Sequence, residues 1–312
     1  MEHFLVTGGC GFIGSHLCKF LNQQGNKVTV IDDLSVGKYD NISSLDDLDF
    51  FHSNIEDFNL SRIKDLSAVF HLAAQTNINF SLSNFYKSSK VNVIDGLKII
   101  DYCSLNKIKL IYASSSAVYG NLSNGIENDK IDLINPYSVD KYVIEQYCAM
   151  ALKTRNLSSY GLRFFNVYGP GQDGNNPYSG VISIFIENLL NNKDIFVYGG
   201  DQVRDFIYID DIVKGLWSAF LFLDNNVKSS VSNLLTGKNT SISDILNLIV
   251  KKVKEKPKIH YKDYIKGDAM SSSGSLVKMK NELKIENLVD IGYGLELTIN
   301  WYKKKLNSWN NN

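Results

Sequence analysis

The stretch FLVTGGCGFIGSHL, residues 4–17, runs from an apolar segment through a glycine cluster into residues with helical spacing. Residues 4–8 read as a buried strand and residues 12–24 as a helix. Glycines stand at 8, 9, 11 and 14, which fits G-x-G-x-x-G from Gly9 and also G-x-x-G-x-x-G from Gly8. Each glycine removes a side chain where a backbone turns tightly, approaches a pyrophosphate, or packs helix on strand. The helix N-terminus then offers free N–H groups to an anion. Glycine turns occur in every fold, so the cluster alone is a weak signal. Placed between a buried strand and a helix, it has the context that dinucleotide binding requires.

The second predicted strand, KVTVID (27–32), ends on Asp32, eighteen residues after Gly14. A carboxylate there accepts hydrogen bonds from ribose hydroxyls and repels a 2′-phosphate. No arginine lies nearby in the chain to accommodate that phosphate, so NAD is expected in preference to NADP. Working outward, LDFFHS (48–53), LSAVFHLAA (66–74), KLIYASSS (109–116) and LSSYGLRFFN (157–166) read as further strands. The segment 84–106 between two of them has helical spacing, with Val93, Leu97 and Ile100 on one side. Continuous apolar strands alternating with helices predict an α/β fold, a doubly wound parallel sheet covered on both faces. After Asn166 the rhythm changes to a glycine-rich loop, a helix near 182–191 and shorter elements.

Lys+Arg and Asp+Glu balance at 33 each in 312 residues, so no nucleic-acid or acidic-membrane partner is implied. Cys10, Cys18, Cys103 and Cys148 lie far apart without metal-ligand spacing, which predicts neither a metal site nor a disulfide framework. The N-terminus has no signal-peptide pattern and no apolar run reaches membrane-spanning length, so a cytoplasmic protein is expected. Arginine occurs only at 62, 155, 163 and 204.

In NPYSVDKYVIEQY (135–147), Pro136 can open a helix, which stacks Tyr137 and Lys141 one turn apart. Alone this pair is an ordinary amphipathic pattern. With TGGCGFIGSHL (7–17), DDLSVG (32–37), HLAAQ (71–75), ASSSAVYG (113–120), PYSVDKY (136–142), LRFFNVYGPGQ (162–172) and VRDFIYIDDI (203–212), the chain resembles the extended short-chain dehydrogenases/reductases. Within them it is similar to the NAD-dependent nucleotide-sugar epimerases and dehydratases over nearly its whole length. The resemblance implies a Rossmann-type NAD domain over 1–165, with a return segment near 205–236, and a smaller, mainly substrate-binding α/β domain over 166–312.

It also implies that Ser115, Tyr137 and Lys141 are catalytic. A free tyrosine titrates near pH ~10, so a base at neutral pH needs a shift of about 3 units, or roughly 4 kcal/mol. Lys141 and the positive nicotinamide can both stabilise the phenolate. By position, Gly8, Gly11, Phe12, Ile13 and Gly14 are expected at the pyrophosphate, and Asp32, Asp33, Ser35 and Gly37 at the adenosine ribose side. Asn54, where many relatives have Asp, and Ile55 would flank the adenine. Leu72, Ala73, Ala74 and Gln75 would pass under the cofactor, and Asn92, Ser114 and Phe165 would complete its wall.

Thr76, Ser115, Ser116, Asn166, Val181, Arg204, Asp268 and Ser272 are the corresponding substrate candidates. Related dehydratases carry an Asp–Glu pair where this chain has Ser116 and Ala117, so elimination lacks its proton carriers and epimerisation at sugar carbon 4 is favoured. A UDP-linked hexose or N-acetylhexosamine is the expected substrate. The alternatives are a UDP-uronate epimerase or decarboxylase, a dehydratase, a reductase, or a non-catalytic NAD-binding regulator. In the C-terminal IKGD (265–268), Ile265 replaces the arginine that relatives often show. Ser272, four residues after Asp268, replaces a bulky tyrosine that excludes N-acetyl groups in related 4-epimerases. The resemblance finally implies a homodimer built from 84–106 and 138–155, with Tyr102, Cys103, Tyr142, Val143, Tyr147 and Met150 available to the partner.

Overall fold

The structure is a computed structural model that describes residues 1–176, 179–255, 257–264 and 269–310. Its first half alternates as the sequence predicts: β1 (His3–Thr7), α1 (Phe12–Gln23), β2 (Lys27–Asp32), β3 (Leu48–His52) and β4 (Ala68–His71). Next come α2 (Ile78–Ser83), α3 (Phe85–Ser89), α4 (Asp95–Asn106), β5 (Lys109–Ser115), α5 (Pro136–Arg155) and β6 (Ser159–Phe164). The single helical segment expected over 84–106 is interrupted: a π-helical turn at Lys90–Ile94 joins α3 to α4. The second half holds β7 (Asn166–Tyr168), α6 (Val181–Leu190), β8 (Ile195–Tyr198), β9 (Val203–Tyr208), α7 (Ile209–Asp224) and β10 (Ser229–Leu234). It closes with β11 (Asn239–Ser241), α8 (Ile242–Val253), β12 (Ile259–Lys262), β13 (Ser271–Ser272) and α9 (Ile291–Asn310).

Seven strands form one parallel sheet in the order β10-β6-β5-β4-β1-β2-β3. From β1 the chain moves outward to β2 and β3, then returns to the other side through β4. The carboxyl ends of β1 and β4 therefore diverge into a crevice, the place where open α/β sheets bind ligands. Alternation along β1 sends Phe4 and Val6 to one face, against Leu17, Cys18 and Leu21 of α1 and Phe220 of α7. Leu5 faces the opposite side, against Ile99, Ile100 and Cys103 of α4 and Ile144 and Cys148 of α5. Both faces are thus covered, and the continuous apolar strands follow from that.

Sequence periodicity did not identify β10 as the seventh strand of this sheet. It lies at the edge, beside β6, in parallel register from Ser229 opposite Ser159 to Leu234 opposite Phe164. A second, smaller sheet centres on β9, which pairs with β11, β13 and β7. The segment 203–208 belongs to this second sheet, whereas α7 packs on α1 and leads back to β10.

A buried ion pair fastens the large sheet to α5. Arg163 on β6 donates to both carboxylate oxygens of Glu145, at 2.9 and 2.7 Å, and both side chains are 3% exposed. Ser114 donates to the same carboxylate, and Arg163 also donates to the Tyr119 hydroxyl at 2.8 Å. Tyr119 donates to Asn233 on β10, whose amide reaches the carbonyls of Gly125 and Ser275. Every nitrogen of the guanidinium and both carboxylate oxygens thus have a partner. Removing one partner leaves a buried charge uncompensated, which costs about 3–5 kcal/mol. Arg163→Met is expected to lower unfolding free energy by that amount in a urea titration. A loss below about 1 kcal/mol would place the pair among the weak surface bridges.

Candidate active site

The crevice is formed where the glycine cluster meets the loop after β4. Gly8 has φ +71°, and an added Cβ would lie 2.7 Å from the backbone nitrogen of Ala73. At Gly14 a Cβ would stand 2.1 Å from the Gly8 carbonyl oxygen, so the first turn of α1 can sit on the loop only without a side chain. Gly11 is the N-cap of α1, and no side chain caps that end. The sequence analysis expects an anion at this end, and N–H groups without a side-chain cap are what such a site requires. Phe12 and Ile13 form the first turn and are half-buried.

Asp32 ends β2 and is buried. It accepts from the backbone N–H of Cys10 and of Leu34, both at 2.9 Å. Burial raises its pKa, and the two hydrogen bonds oppose that rise. Each carboxylate oxygen keeps a lone pair for a further donor, as ribose recognition requires. Asp33 is turned to Ser35, accepting from its N–H and its hydroxyl. Gly37 backs onto Cys10. Asn54 is exposed, and its amide is occupied locally: it accepts from the Asp57 N–H and donates to the Asp57 carboxylate. The Asn54 carbonyl oxygen keeps one lone pair, which is what acceptance from an adenine amino group would need. Ile55 is buried, and Lys98 of α4 pins its loop by donating to the carbonyls of Ile55 and Phe58.

Small residues follow β4. Leu72, Ala73 and Ala74 are half-buried and lie along the glycine loop. Gln75 is held through its backbone: Asn92 accepts from its N–H at 2.8 Å and donates to its carbonyl at 3.0 Å. Thr76 is exposed at the rim. Below the strap, His71 shares a 2.8 Å hydrogen bond with the Thr7 hydroxyl, and burial together with Lys141 pushes its pKa down to about 3.

The catalytic candidates converge from two elements. Asn135 caps α5 in a capping box with Ser138, and Pro136 occupies the first turn. That fixes where the helix starts, and hence which face carries Tyr137 and Lys141. The Lys141 ammonium donates to the Ala113 carbonyl at 3.0 Å and lies 5.8 Å from the Tyr137 ring centre. Burial pushes the Tyr137 phenol up to about 12, against the lowering effect of a hydrogen bond with Ser115. Burial pushes Lys141 down to about 8, against the raising effect of Asp140. Ser115 ends β5 and also accepts from the Ala117 N–H at 3.1 Å, so it caps the following turn as well as meeting Tyr137. Ser114 points its hydroxyl at Glu145, so its side chain belongs to the ion-pair network rather than to the cofactor wall. Ser116 is half-buried in the turn, and Phe165 is buried against Tyr119.

The second sheet assembles the distal candidates. Arg204 on β9 lies in register with Ser272 on β13 and with Thr240 on β11. Paired positions project to the same face of a sheet, so Arg204 and Ser272 are neighbours. Asn166 donates to the Asp205 carbonyl at 3.0 Å, and Val181 opens α6. The segment after Ser272 is tied to the loop following the Ser115 turn: Gly125 donates to the Ser273 carbonyl and Ser275 to the Gly125 carbonyl. Asp268 and Ile265 lie outside the described residues. Asp140, the Glu145–Arg163–Tyr119 network and the Asn233 clamp were not foreseen as parts of the site. The scarcity of arginine was the one signal that pointed at Arg163.

The sheet with its switch-point crevice, the glycine cradle and the Ser–Tyr–Lys cluster define an NAD-binding enzyme of the short-chain dehydrogenase/reductase type. The chain belongs to the NAD dependent epimerase/dehydratase family, which matches residues 4–234. It is 33% identical over 307 residues to a Methanocaldococcus jannaschii protein provisionally named UDP-glucose 4-epimerase, covering 96% of this chain and 98% of that one. Among solved structures, it superposes with TM-score 0.92 on the UDP-N-acetylglucosamine 4-epimerase of Methanobrevibacter ruminantium in complex with UDP-N-acetylmuramic acid. That match is 32% identical and covers 97% of this chain and 99% of that one. The UDP-glucose 4-epimerase of Thermotoga maritima with UDP-glucose matches with TM-score 0.91 and 32% identity, over 98% and 100% of the two chains. Among the described residues no helix is long and apolar enough to cross a membrane.

His71 gives the cradle a pH signature. An unfolded histidine binds a proton below about 6.5, whereas the folded one resists protonation down to about 3. Between these values the unfolded state binds more protons, so stability present above pH ~6.5 is lost as the pH falls. His71→Gln is expected to lose less Tm than the wild type between about pH 7 and about pH 4. Parallel declines in the two proteins would remove His71 from the acid response.

Proposed function

We propose that this chain is an NAD-dependent nucleotide-sugar 4-epimerase acting on UDP-linked hexoses or N-acetylhexosamines. The carrying observation is that Ser115, Tyr137 and Lys141 converge at the carboxyl edge of the sheet, with a serine and an alanine at 116 and 117 in place of a carboxylate pair. NAD, when bound, supplies a hydride acceptor and then a hydride donor at sugar carbon 4, so that a 4-keto sugar exists transiently. Gly8, Gly11 and Gly14 would hold its pyrophosphate and Asp32 its ribose. Tyr137 takes the proton of the carbon-4 hydroxyl as the base and returns it as the acid. Lys141 provides the positive charge that makes a phenolate possible at a buried site. Ser115 accepts or donates a hydrogen bond as the sugar oxygen changes from hydroxyl to carbonyl and back. Asn166 and Arg204 hold the nucleotide diphosphate, and the turning of the sugar between the two half-steps sets the outcome. The names of the relatives, which include enzymes for UDP-glucose and UDP-N-acetylglucosamine, support this substrate class.

One assay tests the reading. NMR of a UDP-sugar panel is expected to show interconversion at carbon 4, and Tyr137→Phe should lose at least about a thousandfold in kcat with NAD still bound. A residue as small as Ser272 beside Arg204 would admit a 2-acetamido group. Ser272→Tyr should suppress turnover of UDP-N-acetylglucosamine far more than that of UDP-glucose. Equal losses on both sugars would take Ser272 out of the pocket.

We also propose a homodimer through α4 and α5. Tyr147 is 49% and Met150 54% exposed on α5, and Leu105 is 72% exposed on α4. Of the side chains expected at this interface, Cys103 is instead buried against the sheet, and Tyr102 donates to the Ile63 carbonyl, since helix periodicity turns both inward. Light scattering at micromolar concentration should give twice the chain mass, and a monomer would refute the interface.

A further inference from the structure

Asp140 stands immediately before Lys141 on α5 and is 3% exposed. Buried carboxylates are rare unless paired with a charge or fully hydrogen-bonded. This one collects three neutral donors from the elements packed against it. Ser88 of α3 donates at 3.2 Å, Ser89 at 2.7 Å, and Asn92 of the π-helical turn at 3.1 Å. Asn92 is also the residue that grips Gln75 through both its N–H and its carbonyl. Gln75 in turn accepts from the Asn77 N–H, and Asn77 caps α2 by accepting from the Phe80 N–H. A chain of hydrogen bonds thus leads from the carboxylate beside the catalytic lysine to the strap at Gln75 and Thr76, on the rim of the crevice. The π-helical turn accompanies this arrangement, as such turns often do at functional sites.

We propose that Asp140 is a positioning residue for the Tyr137–Lys141 pair, fixing the Gln75–Thr76 strap through Asn92 and placing a buried negative charge one residue before Lys141 on the same helix. This rests on the catalytic reading of Tyr137 and Lys141 given above. Lys141 donates to the Ala113 carbonyl from β5 and lies 5.8 Å from the Tyr137 ring centre, and its charge acts on the His71 imidazole from β4 and with Asp140 of its own helix. His71 is kept neutral by burial, so it adds no second positive charge against the lysine. Burial disfavours the ammonium, and Asp140 opposes that effect. The same charge raises the Tyr137 pKa, so Asp140 acts on the reaction through the lysine and the strap, not by activating the phenol directly.

Asp140→Asn keeps the shape and removes the charge. Ser89→Ala removes one hydrogen bond and keeps the charge. Lys141 is titrated by NMR of isotope-labelled lysine, with the resonance assigned by Lys141→Arg. In Asp140→Asn, Lys141 should lose its proton at lower pH by about one unit, the basic limb of kcat/KM should move the same way, and the Gln75 amide should exchange faster with solvent. Ser89→Ala should leave the lysine titration in place. Unchanged titration of Lys141 in a folded Asp140→Asn protein would overturn the proposal, whatever happens to turnover. Because the titration needs no substrate, it decides the role of Asp140 even if no UDP-sugar is epimerised, and that second result would count against the proposed function alone.

Discussion

The Arg163–Glu145 pair is the constraint around which the site is built. It joins the β6 strand to the α5 helix at full burial, and its hydrogen bonds run on through Ser114, Tyr119 and Asn233. Ser115 follows Ser114 in the chain, and α5 carries Tyr137 and Lys141 two turns and one turn before Glu145. The relative position of the hydroxyl, the phenol and the ammonium therefore depends on one ion pair that touches none of them. Charge-assisted, bidentate geometry suits this task, because a fork of parallel hydrogen bonds fixes orientation as well as distance. The same network reaches Gly125 and Ser275, so the segment bearing Ser272 is fastened to the catalytic strand through Asn233.

Burial sets the chemistry of the site and also opposes it. Taking Tyr137 and Lys141 out of water moves both towards their neutral forms, up to about 12 for the phenol and down to about 8 for the ammonium. A neutral phenol does not remove a proton at neutral pH. Ser115, by hydrogen bonding to the phenol, and Asp140, by its charge on the ammonium, oppose burial without cancelling it. Low polarity around them makes each of these contacts stronger than it would be in water. The neutral His71 beneath contributes structure without adding a competing charge.

The two sheets divide the work. The large parallel sheet forms the crevice and the cradle, whose glycines leave no room for a side chain: an added Cβ would stand 2.1 Å from backbone at Gly14 and 2.7 Å at Gly8. The small sheet on β9 brings Arg204, Ser272 and Asn166 together from three separate parts of the chain. Its strands are only two to six residues long, and pairing gives them their alignment.

The sequence by itself determined the parts whose chemistry is local. The glycine spacing, Asp32 at the end of an apolar strand, and Asn135–Pro136 opening a helix with Tyr137 and Lys141 on one face are each specified within a dozen residues. Backbone sterics, capping and periodicity act over that range, so the strand–loop–helix order and the placing of Tyr137 and Lys141 on one helix were legible. Tertiary structure decided what depends on distant partners. Ser114 and Ser115 are neighbours of the same type, yet one serves an ion pair and the other meets Tyr137, because a strand sends successive side chains to opposite faces. Nothing in the sequence pattern shows that the Asn54 amide bonds both the N–H and the carboxylate of Asp57. The edge strand β10 is too polar for periodicity to reveal, and only its register against β6 makes it part of the sheet. Asp140 reads as an ordinary helix carboxylate until folding places Ser88, Ser89 and Asn92 around it, for the physical reason that hydrogen bonds across 48 to 52 residues of chain leave no periodic trace.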